Sequence, residues 1–212
     1  MTNEELSNRF DTLIQIYTKN ERSIIDGLNE YEKSVLFTEA QELVIKAIYN
    51  GSFEKDEKSM KALQTLISDV DLSIANYNKG KDGSFYMYEI PVEMDDFLFV
   101  LKDSAKGNAG KYIVKPISQD SLESTLDDPF RCPNSRRVVK YYADGKVRLY
   151  SKDLLTTYKF SVLTKPSPII FGDLENNLYI CGCNSNTEIA VDESIHNEIL
   201  NKAVELAINA RQ

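Results

Sequence analysis

The sequence predicts an α+β fold: an N-terminal helical bundle completed by the C-terminal helix, with an antiparallel β module inserted between them. Three observations predict it. Apolar residues recur at helical spacing near both ends of the chain. Between those ends lie alternating or solid apolar runs punctuated by glycine turns. Strands do not alternate with long crossover helices, so a parallel α/β layout is not expected. The 212 residues suffice for one large domain or two small ones. The expected divisions are a helical region over residues 1–80, the β module over 81–185, and a C-terminal helix over 186–212 that packs on the N-terminal helices.

The first helix opens on a capping-box pattern, Thr2 with Glu5, and carries Leu6, Phe10, Leu13 and Tyr17 on one face. A short link, with a turn of helix near Ile24, passes Gly27. In "SVLFTEAQELVIKAIYNGSF", Thr38 and Gln41 have the spacing of a second capping box. Leu43, Val44, Ala47 and Ile48 follow at helical intervals, and Gly51 sits where a left-handed C-terminal residue belongs. A third amphipathic segment spans about residues 55–68, with Met60, Leu63, Leu66 and Ile67 on one side. Beyond Gly80 and Gly83 the period changes. "FYMYEIPV", "DFLFVLK" and "KYIVKPI" read as strands, with "SAKGNAG" as a turn-rich tip. Ser118 starts a short helix over 118–126. "RRVVKYYADGKVRLYS" is a hairpin, because Asp144-Gly145 is a favoured type I′ pair. "TYKFSVLTKPSPII" is one more strand, ending at its prolines. The last helix starts at Asp192 or Thr187 and aligns Ile195, Ile199, Ala203, Leu206 and Ala210, with Leu200, Val204 and Ala207 widening the row.

Catalytic chemistry finds no foothold in these elements. The chain lacks the glycine-rich phosphate loops, the paired-histidine zinc helix and the nucleophile elbow. His196 is the sole histidine and sits beside apolar positions, so a structural role is expected. Cys132, Cys181 and Cys183 are odd in number and unfit for a disulfide framework. With one histidine, "CGC" lacks the ligands of a zinc site. Glu93, Asp95 and Asp96 in "EMDDF" read as a solvated acidic turn rather than a cation site. No enzyme activity, catalytic residue, cofactor or metal is therefore expected. "MTNEELSNRF" has no basic segment followed by an apolar one, so no signal peptide is expected, and no apolar run approaches a membrane span.

The net charge of -8 is spread unevenly. Residues 131–165 hold nine Lys+Arg and two acids, whereas residues 1–78 hold eight and 14. The basic block centres on the hairpin, where Arg136, Arg137, Lys140, Lys146 and Arg148 interleave with tyrosines. These five are the candidate partner-contact residues. Alternating strand geometry places Arg137, Val139 and Tyr141 on one face, and Arg136, Val138, Lys140 and Tyr142 on the other. Both faces mix charge with apolar groups, so neither reads as plainly core or solvent. Beside a merely solvated hairpin, two partners suit such a ribbon. One is nucleic acid, in the manner of strand-based binders, over 136–150. The other is an acidic protein surface, such as that of another copy of this chain, in a head-to-tail contact that closes into a ring.

"YEKSVLFTEAQELVIKAIYNGSFE", "YIVKPISQDSLESTLDDPFRCPNSRRVVKYY", "KPSPIIFGDL" and "NTEIAVDESIHNEILNKAVELA" together resemble the virion structural proteins of crAss-like Bacteroides phages, the head-to-tail connector or ring proteins. The resemblance runs from about Tyr31 to Ala207. Its most specific parts are "KPI…DPFRCPNSRR" and the closing "E…H…IL…AVELA". Residues 187–193 depart from the family's usual Cys-Glu-Leu-Asn-Pro ahead of the histidine, so the cap of the last helix differs. The resemblance implies a non-enzymatic neck protein of a short-tailed phage, a portal adaptor with no catalytic residues to transfer. It implies a ring, dodecameric in the family, below the portal. That ring extends the DNA channel, lets DNA pass without sequence-specific binding, and anchors other neck and tail proteins. It also implies synthesis in the host bacterial cytoplasm, residence in the virion, no membrane partner, and subunits that stay monomeric until a portal template is present.

Overall fold

The computed structural model describes residues 1–18, 28–51, 61–91, 97–108, 110–174, 178–187 and 189–210. The chain divides into a helical unit, Met1–Leu66 with Lys165–Gln212, and a sheet unit, Ile67–Thr164. The sheet unit thus spans an earlier stretch than 81–185. Residues 67–73 form a strand because Val70 and Leu72 alternate with Asp69 and Asp71, a period of two rather than 3.6.

In the helical unit, α1 (Asn3–Thr18) opens on the Thr2–Glu5 capping box, each side chain accepting the other's backbone N–H at 3.2 Å. Its buried face is Leu6, Phe10 and Ile14, whereas Leu13 is half-buried and Tyr17 exposed. The helix α2 (Glu30–Asn50) begins well before Thr38. Its cap is Asn29, whose Oδ1 accepts from Glu32 N–H at 2.8 Å while the Glu32 carboxylate accepts from Asn29 N–H at 3.0 Å. It ends at Gly51, at φ 75°, as predicted from the glycine.

Thr38 and Gln41 lie inside α2 and serve another purpose. With Ser34 they form a polar stripe at i, i+4 and i+7, which holds an extended segment, residues 167–171. Ser34 Oγ accepts from Phe171 N–H at 3.0 Å. Thr38 Oγ1 accepts from Ile169 N–H at 3.1 Å and donates to the Ile169 carbonyl at 3.3 Å. Gln41 Nε2 donates to the Ser167 carbonyl at 3.0 Å. A segment outside the main sheet, joined only by a single bridge from Ile170 to Thr187 among the described residues, needs such donors and acceptors, because buried backbone groups must be paired. The segment delivers Ile169, Ile170 and Phe171 to the core, where Phe171 meets Phe37 edge-on at 4.9 Å and Phe37 meets Phe10 at 5.3 Å.

The C-terminal helix, here α4 (His196–Asn209), packs against α1 and α2. It buries Ile199 and Ala203 of the predicted row and the flanking Leu200, Val204 and Ala207; Leu206 is half-buried and Ala210 exposed, so the buried stripe is shifted toward that flank. Asp192 leads into it, its carboxylate accepting from Ser194 N–H at 2.9 Å ahead of a 3-10 turn. Thr187 instead accepts from Ile170 N–H at 3.0 Å. The expected turn near Ile24, and most of the third amphipathic segment, lie outside the described residues. Of the latter, Leu63 and Leu66 are buried and Ile67 opens a strand.

The sheet unit holds β1 (Ile67–Ser73), β2 (Asn78–Asp82), β3 (Phe85–Pro91), β4 (Phe97–Gly107), β5 (Gly110–Pro116), β6 (Arg137–Ala143), β7 (Lys146–Ser151) and β8 (Leu155–Thr164). They form one sheet in the order β1-β8-β4-β5-β6-β7-β3-β2. The module is mixed rather than purely antiparallel, since β5 and β6 run parallel. A parallel pair needs a crossover, and residues 117–136 supply it with a short helix, α3 (Leu122–Asp127). The β6–β7 turn puts Asp144 at φ 52° and Gly145 at φ 69°, as a type I′ hairpin requires. The sheet curls until Tyr88 Oη of β3 accepts from Leu155 N–H of β8 at 2.7 Å, across four intervening strands. The concave face encloses Tyr88, Ile90, Tyr112, Val138, Leu149 and Val162. Each such burial stabilises by about 1.5–3 kcal/mol.

Candidate assembly surfaces

Of the predicted contact residues, Arg137 and Lys140 lie on β6, Lys146 and Arg148 on β7, and Arg136 just ahead of β6, and several spend their charge internally. Val138 joins the concave core, while Val139, Tyr141 and Tyr150 form a smaller cluster on the opposite face with Leu122 and Leu126 of α3. Both faces of this hairpin carry apolar residues because both are covered. Lys140 is only 3% exposed and its ammonium bonds the Asp103 carboxylate, which also accepts from Tyr158 Oη at 3.2 Å. Burial, and then the neighbouring Asp103 charge, push the Tyr158 hydroxyl far above its ordinary pKa. Arg148 Nε donates to Glu89 at 3.0 Å and its Nη1 to Tyr141 Oη at 3.1 Å. Lys146 approaches the same glutamate at 3.7 Å. Arg137 reaches the Arg131 carbonyl at 3.4 Å, and Arg136 is exposed.

A second basic surface stands on the convex side of β4, β5 and β8. The register sets Lys102 opposite Ser161, Ser104 opposite Lys159 and Ile113, and Lys106 opposite Lys111. Partners in register share a face, so Lys102, Lys106, Lys111, Lys115 and Lys159 point the same way. All five are exposed, and Ile113 among them is 64% exposed. Two acids on edge strand β1 temper the patch: Asp71 pairs with Lys159 and Asp69 accepts from Ser161. A shallow depression of about 370 Å³ lies among them. Charge counted along the sequence missed this surface. The signal was available, because "KDSAK" and "KYIVK" each repeat lysine at i and i+4, which is one face of a strand.

Chemistry-bearing side chains elsewhere are tied into structure. His196 is buried with Nε2 3.0 Å from the Val191 carbonyl. "CGC" is a tight turn: Ile180 and Cys183 exchange both backbone hydrogen bonds, with Cys181 at φ 49° and Gly182 at φ 80°. Cys132 is half-buried. Among the described residues, no three or more His, Cys, Asp or Glu side chains gather as a metal site would need, and no helix is long and apolar enough to cross a membrane. Glu93, Asp95 and Asp96 lie outside the described residues.

Comparison with known proteins supplies the family. The family model described as phage tail ring protein 3/4 matches residues 1–212. The chain is 34% identical to ring protein 3 of Bacteroides phage crAss001 over 227 aligned positions, covering 98% of this chain and 95% of that protein. It is 30% identical to ring protein 4/5 of the same phage over 236 positions, covering all of this chain and 94% of that protein. The chain belongs to the phage tail ring protein 3/4 family, a family of virion structural proteins of crAss-like phages.

Proposed function

From this membership as premise, we propose that the chain is a non-enzymatic connector subunit in the neck of a short-tailed phage. Copies close into a ring below the portal, twelve in number by analogy with the family. The ring extends the DNA channel and gives other neck and tail proteins their platform. Subunits are made in the host cytoplasm and end in the virion. DNA crosses the ring without sequence-specific contacts.

The observation that carries this reading is the division of charge. The helical unit holds 11 Lys+Arg and 19 Asp+Glu, the whole net charge of -8, whereas the sheet unit holds 14 of each. The neutral sheet unit also gathers exposed lysines on one face. Unlike surfaces on one chain favour a head-to-tail contact between copies, which closes when the rotation allows. Their complementarity steers that contact and weakens with salt. Partner contacts at the exposed Arg136 and at Arg137 extend the same scheme. Electron microscopy of purified virions, with mass-spectrometric identification of the neck proteins, tests the proposal. The subunit is expected as a ring adjoining the portal; its absence from virions, or a position remote from the neck, overturns it.

A further inference from the structure

The most exposed large apolar side chain among the described residues is Phe130, at 85%. It stands in the crossover from β5 to β6, within "DPFRCP", and this loop is tightly pinned. Asp128 Oδ1 accepts from Phe130 N–H at 2.8 Å. The Asp128 carbonyl accepts from Arg131 N–H at 3.1 Å and Cys132 N–H at 2.9 Å. Pro129 and the buried Pro133 fix φ on either side. A phenylalanine on an ordered turn has little backbone freedom left to lose on contact. Its neighbour Arg131 is also exposed, and its only ion pair among the described residues is a 3.5 Å approach to Asp128. Phenylalanine and arginine are both enriched in protein interfaces relative to the rest of the surface.

The helical unit carries a groove with the matching chemistry. It lies between α2 and α4, encloses about 320 Å³, and is lined on one wall by Leu43, Val44 and Ala47. The other wall is Glu198, Lys202 and Glu205. Lys202 is already taken by Glu205, at 2.9 Å to both oxygens. Glu198 Oε2, by contrast, is buried with no hydrogen-bond partner among the described residues. A buried acceptor of this kind is costly until a donor reaches it. The groove therefore calls for an apolar ring and a cationic donor side by side.

We propose that the Phe130–Arg131 turn of one copy docks in the α2–α4 groove of the next. Phe130 lies on Leu43, Val44 and Ala47, and the Arg131 guanidinium donates to Glu198. A second copy is the occupant because the groove belongs to a unit of charge -8 and the turn carries arginine. The contact is heterologous, so each copy offers one turn and one groove and the chain of contacts can close. This inference rests on the ring reading above and names one pair of surfaces for that ring.

Two full-length variant sets, carried in phage particles, test it. In a background with Cys132, Cys181 and Cys183 replaced by serine, Phe130→Cys with Leu43→Cys is expected to give a ladder of covalent multimers under mild oxidation, and neither single cysteine should do so. Neck rings that form yet yield only monomers, whether uncrosslinked or internally crosslinked, overturn the docking. Where the cysteine pair blocks incorporation, charge exchange decides. Arg131→Glu should cut incorporation about tenfold or more with an unchanged melting curve, and adding Glu198→Lys should restore it. Wild-type incorporation of Arg131→Glu, or no restoration, overturns the docking. Absence of the wild-type chain from particles overturns the ring reading instead.

Discussion

Replacing Thr38 by valine conserves shape and removes one hydroxyl, which among the described residues is the partner of two backbone groups. Ile169 is fully buried, and both its N–H and its carbonyl bond Thr38 Oγ1, at 3.1 and 3.3 Å. An orphaned buried polar group costs about 1–3 kcal/mol. Thr38 is half-buried, so water can reach part of the site, and the expected loss is about 2 kcal/mol for the pair. For a chain of this size about 1 kcal/mol moves Tm by roughly 2–4 °C, which gives a drop of about 4–8 °C. Thermal melting followed by far-ultraviolet circular dichroism near the helical band reports the unit that contains α1, α2 and α4. Thr38→Ser, which keeps the hydroxyl, should lose less than half as much. Asn29→Ala should cost about 1 kcal/mol as the true cap. If Thr38→Val melts with the wild type while Asn29→Ala is silent, Thr38 is not a tether and the start of α2 has been misjudged.

Lys140→Met should destabilise the sheet unit by about 3–5 kcal/mol, because Asp103 keeps its charge without its cation, and adding Asp103→Leu should recover most of that loss in urea titrations. Ala203→Asp puts an unpaired charge where no water reaches and should abolish folding of the helical unit; Leu206→Asp, at a half-buried site, should leave a measurable melt with a smaller loss. Arg148→Glu faces Glu89 and Asp144 and should lower Tm clearly, whereas Arg136→Glu should stay within about 0.5 kcal/mol of wild type. Tyr158 supplies a test against pH. Its folded pKa is raised, so the native state holds the proton more tightly than the unfolded chain, and that stability is full below about pH 10 and lost as pH rises further. Melts between about pH 9 and 11 should show the decline, and Tyr158→Phe should make it shallower but not abolish it, because burial also raises the Tyr88 and Tyr150 hydroxyls.

What could be read from the sequence followed from how local each signal is. The α+β class, the β6–β7 hairpin and the Gly51 stop need only neighbours, and the structure contains all three. The start of α2 was not legible in this way. "SVLFT" is helical as well as apolar, so a threonine followed by a glutamine mimics a cap until the distant segment 167–171 is known to bond it. Helix faces rotated for a similar reason. Leu13 and Ile14 both fit an amphipathic row, and only the neighbouring helices decide which one is buried. The parallel β5–β6 pair was hidden because its crossover helix is only six residues long.

The assembly surface was the hardest part to read, and the reason is geometric. A window of sequence averages over both faces of every strand it contains, whereas a partner meets one face. Residues 131–165 look strongly basic, yet Lys140 bonds Asp103 and Arg148 bonds Glu89, acids contributed from outside that window. Residues 79–130 look acidic, yet Lys102, Lys106, Lys111 and Lys115 stand exposed on one convex face. Burial also changes what a charge can do. Lys140 sits where water is excluded, so its field is spent on a single carboxylate, while a lysine on the convex face stays available at long range until salt screens it. The quantity that bears on assembly is therefore charge per exposed face, and on that measure the β4–β5–β8 part of the convex side is basic although the sheet unit's total is zero. A partner drawn by that side should respond to Lys111 and Lys115 before it responds to Lys140.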